Sequence, residues 1–431
     1  MLRDRRVVNT SVPAAAERRL RSATWAVLGV FAAAGFGMAT WFSRIPAVQA
    51  GLDYSGSQMG VLLLTASVGS IIALPVSGMI TSRIGAGRAV LFFTAVSAVG
   101  YTVAVLGVGA AEHLWVRAGL FVAGVGVGVW DAAMNLEGAA VEQRLGRAIM
   151  PRFHAAFSVG TFVGAAVGAG VIRLGVDLLW HLTGVVVLYT VVVALCVRAF
   201  LPAHDAGPQT SLAGAQDTVA DPAAAVEPSH GHSLKDTLAT WREPRTLLVG
   251  LVVLGAALTE GAANDWVGLA VVDGFDAPEE LGATALAIFL GAMTITRLAG
   301  TRLIDRLGRV WVLRASGASA IAGVLLFALV PSLPLALVGV ALWGVGAALG
   351  FPLGMSAASD EPARAALRVS VVATIGYSAF FVGPALIGFL ADVTGYRLAL
   401  LVLAAPLVLA LFVAGAARPP REDVSVPSEA A

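Results

Sequence analysis

Twelve stretches of mostly apolar residues run through this chain, near 23–43, 57–80, 89–110, 114–134, 153–172, 177–198, 246–267, 281–299, 311–330, 334–356, 368–390 and 396–416. Each has the length a helix needs to cross the hydrocarbon core of a bilayer, about 20 residues. The 431 residues are 58% hydrophobic and 13% charged, against about 25% charged in an average soluble domain. Such a chain has no polar surface to offer water. The expected fold class is all-α integral membrane, with twelve transmembrane helices.

The apolar runs fall into two sets of six. Between them, 201–245 contains PAHDAGPQTSLAGAQDTVADPAAAVEPSHGHS, a composition that buries no core and predicts a flexible linker. The expected organisation is an N-tail 1–22, a six-helix half 23–200, the linker 201–245, a second half 246–416 and a C-tail 417–431. The N-tail, MLRDRRVVNTSVPAAAERRLRS, is arginine-rich. A signal peptide would show a shorter apolar core and a cleavage site before a soluble domain, so the first run is expected to be a retained helix.

Charge sets the orientation. With both termini inside, the inner segments hold 24 of the 28 Lys and Arg, leaving Arg44, Arg117, Arg173 and Arg397 outside or near outer helix ends. The positive-inside rule then predicts cytoplasmic termini and a cytoplasmic-membrane location. One cysteine, Cys196, excludes an intrachain disulfide or a cysteine metal cluster. The one lysine, Lys235, lies in SLKD and leaves no phosphate-binding loop of the GxxxxGK[ST] kind.

The halves also repeat. SRIGAGR (Ser82 to Arg88) follows the second run and DRLGR (Asp305 to Arg309) the eighth, offset by 223. Gly124 to Gly126 recurs as Gly344 to Gly346, and Gly175 as Gly395, both offset by 220. A duplicated six-helix unit places a solute near the midplane between the halves.

Twelve spans, the repeat, the central linker and these two loops resemble the major facilitator superfamily, whose loop pattern is Gly-x-x-x-Asp-Arg-x-Gly-Arg-Arg. Within it, WFSRIPAVQAGL, AAMNLEGAAVEQRLGRAIMPRFHAAFSVG and EGAANDW are similar to the rhizopine-transporter-like (MosC-like) subgroup. The resemblance covers nearly the whole chain. It implies that the loop aspartate latches a gate against a neighbouring helix N-terminus, where the dipole attracts negative charge, and that Arg83, Arg88, Asp305, Arg306 and Arg309 belong to the gate. Ser82 replaces that aspartate in the first copy, so only Asp305 is expected to latch. Thr301 stands where the second copy's leading glycine would be. The antiporter glycine series is incomplete: Gly160, Gly164 and Gly168 are present with no proline after them, and the three read as a stripe for close helix packing.

The candidate transport residues are the polar side chains within the apolar runs. TEGAANDW (Thr259 to Trp266) holds Glu260 about 21 Å into the seventh run and Asp265 about 28 Å in, at 1.5 Å per residue. Glu260 and Asn264 share a helix face; Asp265 and Trp266 read as an outer rim, the tryptophan as an interfacial anchor. Burying a carboxylate at depth costs about 2.5–3.5 kcal/mol on insertion scales, so Glu260 needs a cavity or a partner. One reading is proton or solute contact; the other is an ion pair with Arg44 or Arg117 that fixes packing. Asp131 and Asn135 share a face of the fourth run, with Phe351 and Met355 at the corresponding places of the tenth. Asp131 is read as lining a cavity or as pairing with Arg152. His154 opens the fifth run, either passing protons to Asp131 or marking a polar helix boundary. Glu137, Glu142, Arg144 and Arg147 are expected in a solvated inner loop. Trp41, Ser43 and Arg44 close the first run, with Arg44 either ending the helix, holding an anionic group or pairing with Glu260. Tyr377 is a hydrogen-bond donor to solute or a packing residue.

The expected function is secondary active transport by alternating access. Glu260, Asp131 and His154 are the proton-coupling candidates; Asn135, Asn264, Trp41, Arg44 and Tyr377 are the solute-binding ones. The resemblance points to a sugar, polyol or inositol derivative, with efflux of amphipathic drugs as the alternative. A non-transporting sensor lacks an output domain, and an enzyme lacks a convergent nucleophile and base. The expected partners are a small solute, protons and the bilayer, with no nucleic acid, metal or cofactor, and the chain is expected to act as a monomer.

Overall fold

The computed structural model describes residues 14–202, 234–361 and 364–419. The N-tail up to 13, most of the expected linker (203–233) and the C-tail from 420 lie outside them. Among the described residues, twelve helices are long and apolar enough to cross a membrane. Spans 1 to 6 are Glu17–Ser43, Gly56–Ile84, Ala86–Gly109, His113–Leu145, Met150–Arg173 and Leu178–Ala199. Spans 7 to 12 are Pro244–Gly274, Glu279–Leu307, Arg309–Leu329, Leu333–Ala358, Ala365–Thr394 and Tyr396–Ala417. Within the stretch read as flexible linker, Leu234–Thr240 forms a short helix, and Thr240 is fully buried.

The duplication is visible in backbone geometry. Gly85 and Gly308 end spans 2 and 8 with φ of 85° and 78°, and Gly175 and Gly395 turn the chain before spans 6 and 12 at 71° and 78°. These are conformations glycine adopts without a Cβ penalty. A Cβ on Gly126 would strike Ser97 of span 3, and one on Gly346 would strike Ala320 of span 9. The repeated glycines therefore mark the same crossings in each half.

Several spans outrun their apolar cores. Span 4 continues to Leu145, which corrects the solvated-loop reading of Glu137, Glu142 and Arg144. Glu137 is 5% exposed and accepts the Leu201 N–H at 2.7 Å. Glu142 accepts Ile149 and Met150 N–H at 2.6 and 2.7 Å, so its charge caps the start of span 5. Span 7 runs to Gly274 rather than ending near 267, so Trp266 is no rim anchor. It is fully buried and stacks on Tyr396 at 5.7 Å.

The halves meet along spans 5 and 8 and along spans 2 and 11. Span 11 bends at Ser378: Ala379–Thr394 packs along span 2, while Ala365–Tyr377 packs on span 7. The halves are thus joined at the end carrying Asp392. At the other end, which carries Arg83, Arg88, Arg306 and Arg309, the described residues of span 2 and of the first part of span 11 make no comparable packing.

Candidate functional site

The site begins with a missing donor. In a helix the carbonyl of residue 348 would accept from the N–H of residue 352, but that residue is Pro352, which has none. Span 10 accordingly breaks between Ala347 and Gly350. The freed Ala348 carbonyl accepts Arg297 Nε at 3.1 Å. The same guanidinium donates through Nη2 to Glu260 Oε2 at 2.8 Å. Both side chains are nearly buried, 12% and 10% exposed. The fixed fork of arginine suits two acceptors held at an angle.

Glu260 therefore pairs with Arg297, not with Arg44 or Arg117. The apolar pattern ended span 8 near 299 and counted Arg297 among the arginines of its flank, whereas the helix continues to Leu307 and carries the side chain inward. Pro352 in an apolar run and an arginine two residues before a predicted helix end were the signals in the sequence.

Arg297 also faces the N-terminal half. Down the crossing of spans 5 and 8, Phe162 lies against Gly291, the Thr294 hydroxyl donates to the Ser158 carbonyl at 3.1 Å, and His154 lies within electrostatic range of Arg297. The His154 ring stands edge-on to Phe31 at 5.0 Å, and its buried Nε2 has no hydrogen-bond partner among the described residues. It is an interior residue, not a polar boundary.

Asp131 and Asn135 are half-buried within span 4. The Asn135 amide donates to the Asp131 carbonyl at 3.0 Å. Opposite them in the repeat, Phe351 and Met355 are buried. Phe351, Tyr377 and Phe380 form an aromatic row with centroids 5.9 and 6.5 Å apart, and Phe380 abuts Gly261 beside Glu260. Asn264, one turn on from Glu260, keeps its Oδ1 buried, with no hydrogen-bond partner among the described residues.

Trp41 and Arg44 belong elsewhere. Trp41 is buried inside the first half against Tyr101, at 5.4 Å, in a crevice shared with Leu182 and Tyr189. Arg44 is 3% exposed, donates to the Val176 carbonyl at 3.1 Å and pairs across the halves with Glu279 at 3.4 Å. Burial lowers its pKa from the usual arginine value, opposed by the charges of Glu279 and Asp177.

The residues expected at the gate lie at the parted end. Asp305 is exposed and, among the described residues, has no side-chain bonding partner. Arg83, Arg88 and Arg306 are exposed around the parted end. Arg309 donates to Asp360 at 2.9 and 3.0 Å, and Asp360 also receives Arg245 at 2.7 Å, tying the starts of spans 7 and 9 to the end of span 10. Glu243, just before span 7, bonds Arg368 at 2.7 Å, Thr246 at 2.8 Å, and Arg364. Burial would raise its carboxyl, but those bonds and charges outweigh burial and hold it below the ordinary carboxylate range.

Two six-helix repeats facing one another around a buried charge pair define a membrane transporter of the major facilitator class. The chain belongs to the Major Facilitator Superfamily, whose family model matches residues 26–362 and 266–431. It is 32% identical to the uncharacterized transporter y4wD of Sinorhizobium fredii over 88% of this chain and 94% of that one. It is 26% identical to the membrane protein MosC of Rhizobium meliloti over 85% and 83%. Among solved structures, the nucleoside transporter NupG superposes with a TM-score of 0.68 at 15% identity, covering 93% of this chain and 99% of NupG. The chain is a transporter rather than an enzyme.

Proposed function

We propose that this chain is a proton-coupled secondary transporter of a small polar solute. Its six-helix halves, 23–200 and 246–416, rock as units joined through 201–245, and the chain works as a monomer. The observation that carries this reading is the Arg297–Glu260 pair, buried where the halves meet. Ionised, Glu260 holds the guanidinium; a proton on Oε2 removes the charge and weakens the bond, because charge-assisted hydrogen bonds are the stronger kind. Arg297 is then released toward a solute hydroxyl or anionic group, and loss of the proton restores the pair. His154 and Asp131 carry protons to and from this point.

The solute is a sugar, polyol or inositol derivative. Phe351 and Tyr377 offer a ring-stacking wall, while Asp131, Asn135 and Asn264 accept from hydroxyls. FucP, described as a fucose:proton symporter, moves a polar ring with a proton on this fold. The excess of Lys and Arg faces the arginine-rich end to the cytoplasm, with both termini on that side of the cytoplasmic membrane, so the conformation described is open inward.

The test is proton movement into liposomes containing the purified protein, followed with a trapped pH dye against sugars, polyols, inositol derivatives and cationic drugs. Acidification by one polar solute, absent in Glu260→Gln while solute exchange persists, supports symport. Accumulation unchanged in Glu260→Gln removes Glu260 from coupling. Alkalinisation of an acid-loaded interior by drugs alone replaces the reading with efflux.

A further inference from the structure

Asp392 stands near the end of span 11, in the second half, and bonds to the first turn of span 2, in the first half. Its Oδ1 accepts the Gly56 N–H at 2.6 Å, and its Oδ2 accepts the Ser57 N–H at 3.1 Å and the Ser55 hydroxyl at 3.3 Å. First-turn N–H groups have no partner within their own helix. They sit at the positive end of the helix dipole, where a carboxylate is favoured. Such caps usually come from the same chain segment; Ser55 already supplies one, in a capping box with Gln58. Asp392 adds a second, and it comes from the opposite half.

The surroundings make this a closure. Gly56 and Gly388 cross so closely that a Cβ on either would meet the other's carbonyl oxygen, and the Trp266 indole lies directly behind Gly388. The Gln49 side chain donates to the Tyr396 hydroxyl, and Arg44 pairs with Glu279, both across the halves. At the far end, among the described residues, Asp305 has no bonding partner and a Cβ on Gly78 would meet nothing within 4 Å, while Ser82 offers no carboxylate.

A cap made within one half survives any movement of the halves; a cap made between them breaks each time this end opens. We propose that Asp392 is a gating residue of this transporter, whose carboxylate latches the start of span 2, holds the end opposite the arginines shut, and biases the resting population toward the conformation described. The proposal rests on the reading that the halves rock, and it is independent of which solute or coupling ion is used.

The test is the distance between spin labels on cysteines replacing Glu112 and Pro331, loop residues of the two halves at the latched end, in full-length Cys196→Ala protein in lipid nanodiscs. Asp392→Asn keeps the shape and removes the charge. Loss of a charged cap predicts about a three- to tenfold rise in the ratio of long to short distances. That rise should shrink in about 1 M salt, where charges are screened within 3 Å. Gly388→Ala, which forces the crossing apart without touching the carboxylate, is the reference for opening. A shift in Gly388→Ala with none in Asp392→Asn overturns the latch and leaves rocking intact. No shift in either overturns both. A shift in Asp392→Asn that salt does not diminish also overturns the proposal, because a packing effect would do the same.

Discussion

Spans 1–6 and spans 7–12 place the same glycines at the same crossings. Gly124 and Gly126 abut spans 2 and 3 as Gly344 and Gly346 abut spans 8 and 9. Their charges follow no such symmetry. By the offset of 223 between the loops after spans 2 and 8, Arg297 corresponds to Leu74, which is buried. By the offset of 220, Asp131 corresponds to Phe351. Close helix approach is needed in both halves, so the residues that allow it recur. A charge at depth is costly, so each of these charged side chains stands in its own half against an apolar one in the other.

The sharpest way to break this comparison is to make the halves alike at depth. Arg297→Met leaves Glu260 buried and unpaired and should destabilise the protein by about 3–5 kcal/mol. The Arg297→Met, Glu260→Met double variant should recover most of that loss. Leu74→Met, at the corresponding place, should cost less than about 1.5 kcal/mol. Thermal unfolding in one detergent ranks the three, and equal losses from Arg297→Met and Leu74→Met would end the asymmetry argument.

The shared scaffold is sharpened by the opposite experiment. Gly126→Val and Gly346→Val each drive a side chain into a neighbouring backbone, and each should cost about 1–3 kcal/mol by overpacking. Similar losses in unfolding temperature support equivalent crossings; a loss confined to one half refutes them.

The smallest effect concerns the ion network at the start of span 7. The carboxyl of Glu243 is held below its ordinary range in the folded state. Its contribution is therefore present above the unfolded pKa and lost as pH falls through the folded value. The stability advantage of wild type over Glu243→Gln, about 1 kcal/mol at most for a partly exposed network, should vanish on acidification. An advantage that grows with acid would contradict the arrangement.

Legibility followed the range of the interaction. The spans, the six-plus-six division and the repeated glycines were readable because bilayer thickness and helix pitch act on contiguous residues. Glu260 was readable as an anomaly, since a carboxylate within an apolar run is conspicuous by itself. Its partner was not, because Arg297 lay at the edge of an apolar run and counted as flank. Trp266 looked like a rim because span 7 was cut where its apolar character faded, although the helix continues to Gly274.

By itself, the sequence determined that this chain crosses a membrane twelve times as a duplicated unit and that Glu260 stands in one of the apolar runs, because those are consequences of hydropathy and period along the chain. Tertiary structure alone decided that Arg297 bridges Glu260 and the carbonyl freed by Pro352, that Arg44 answers Glu279, and that Asp392 rather than Asp305 caps a helix of the other half. Those pairings join residues far apart in the chain, and a partner is chosen by which helices pack together, which no local pattern records.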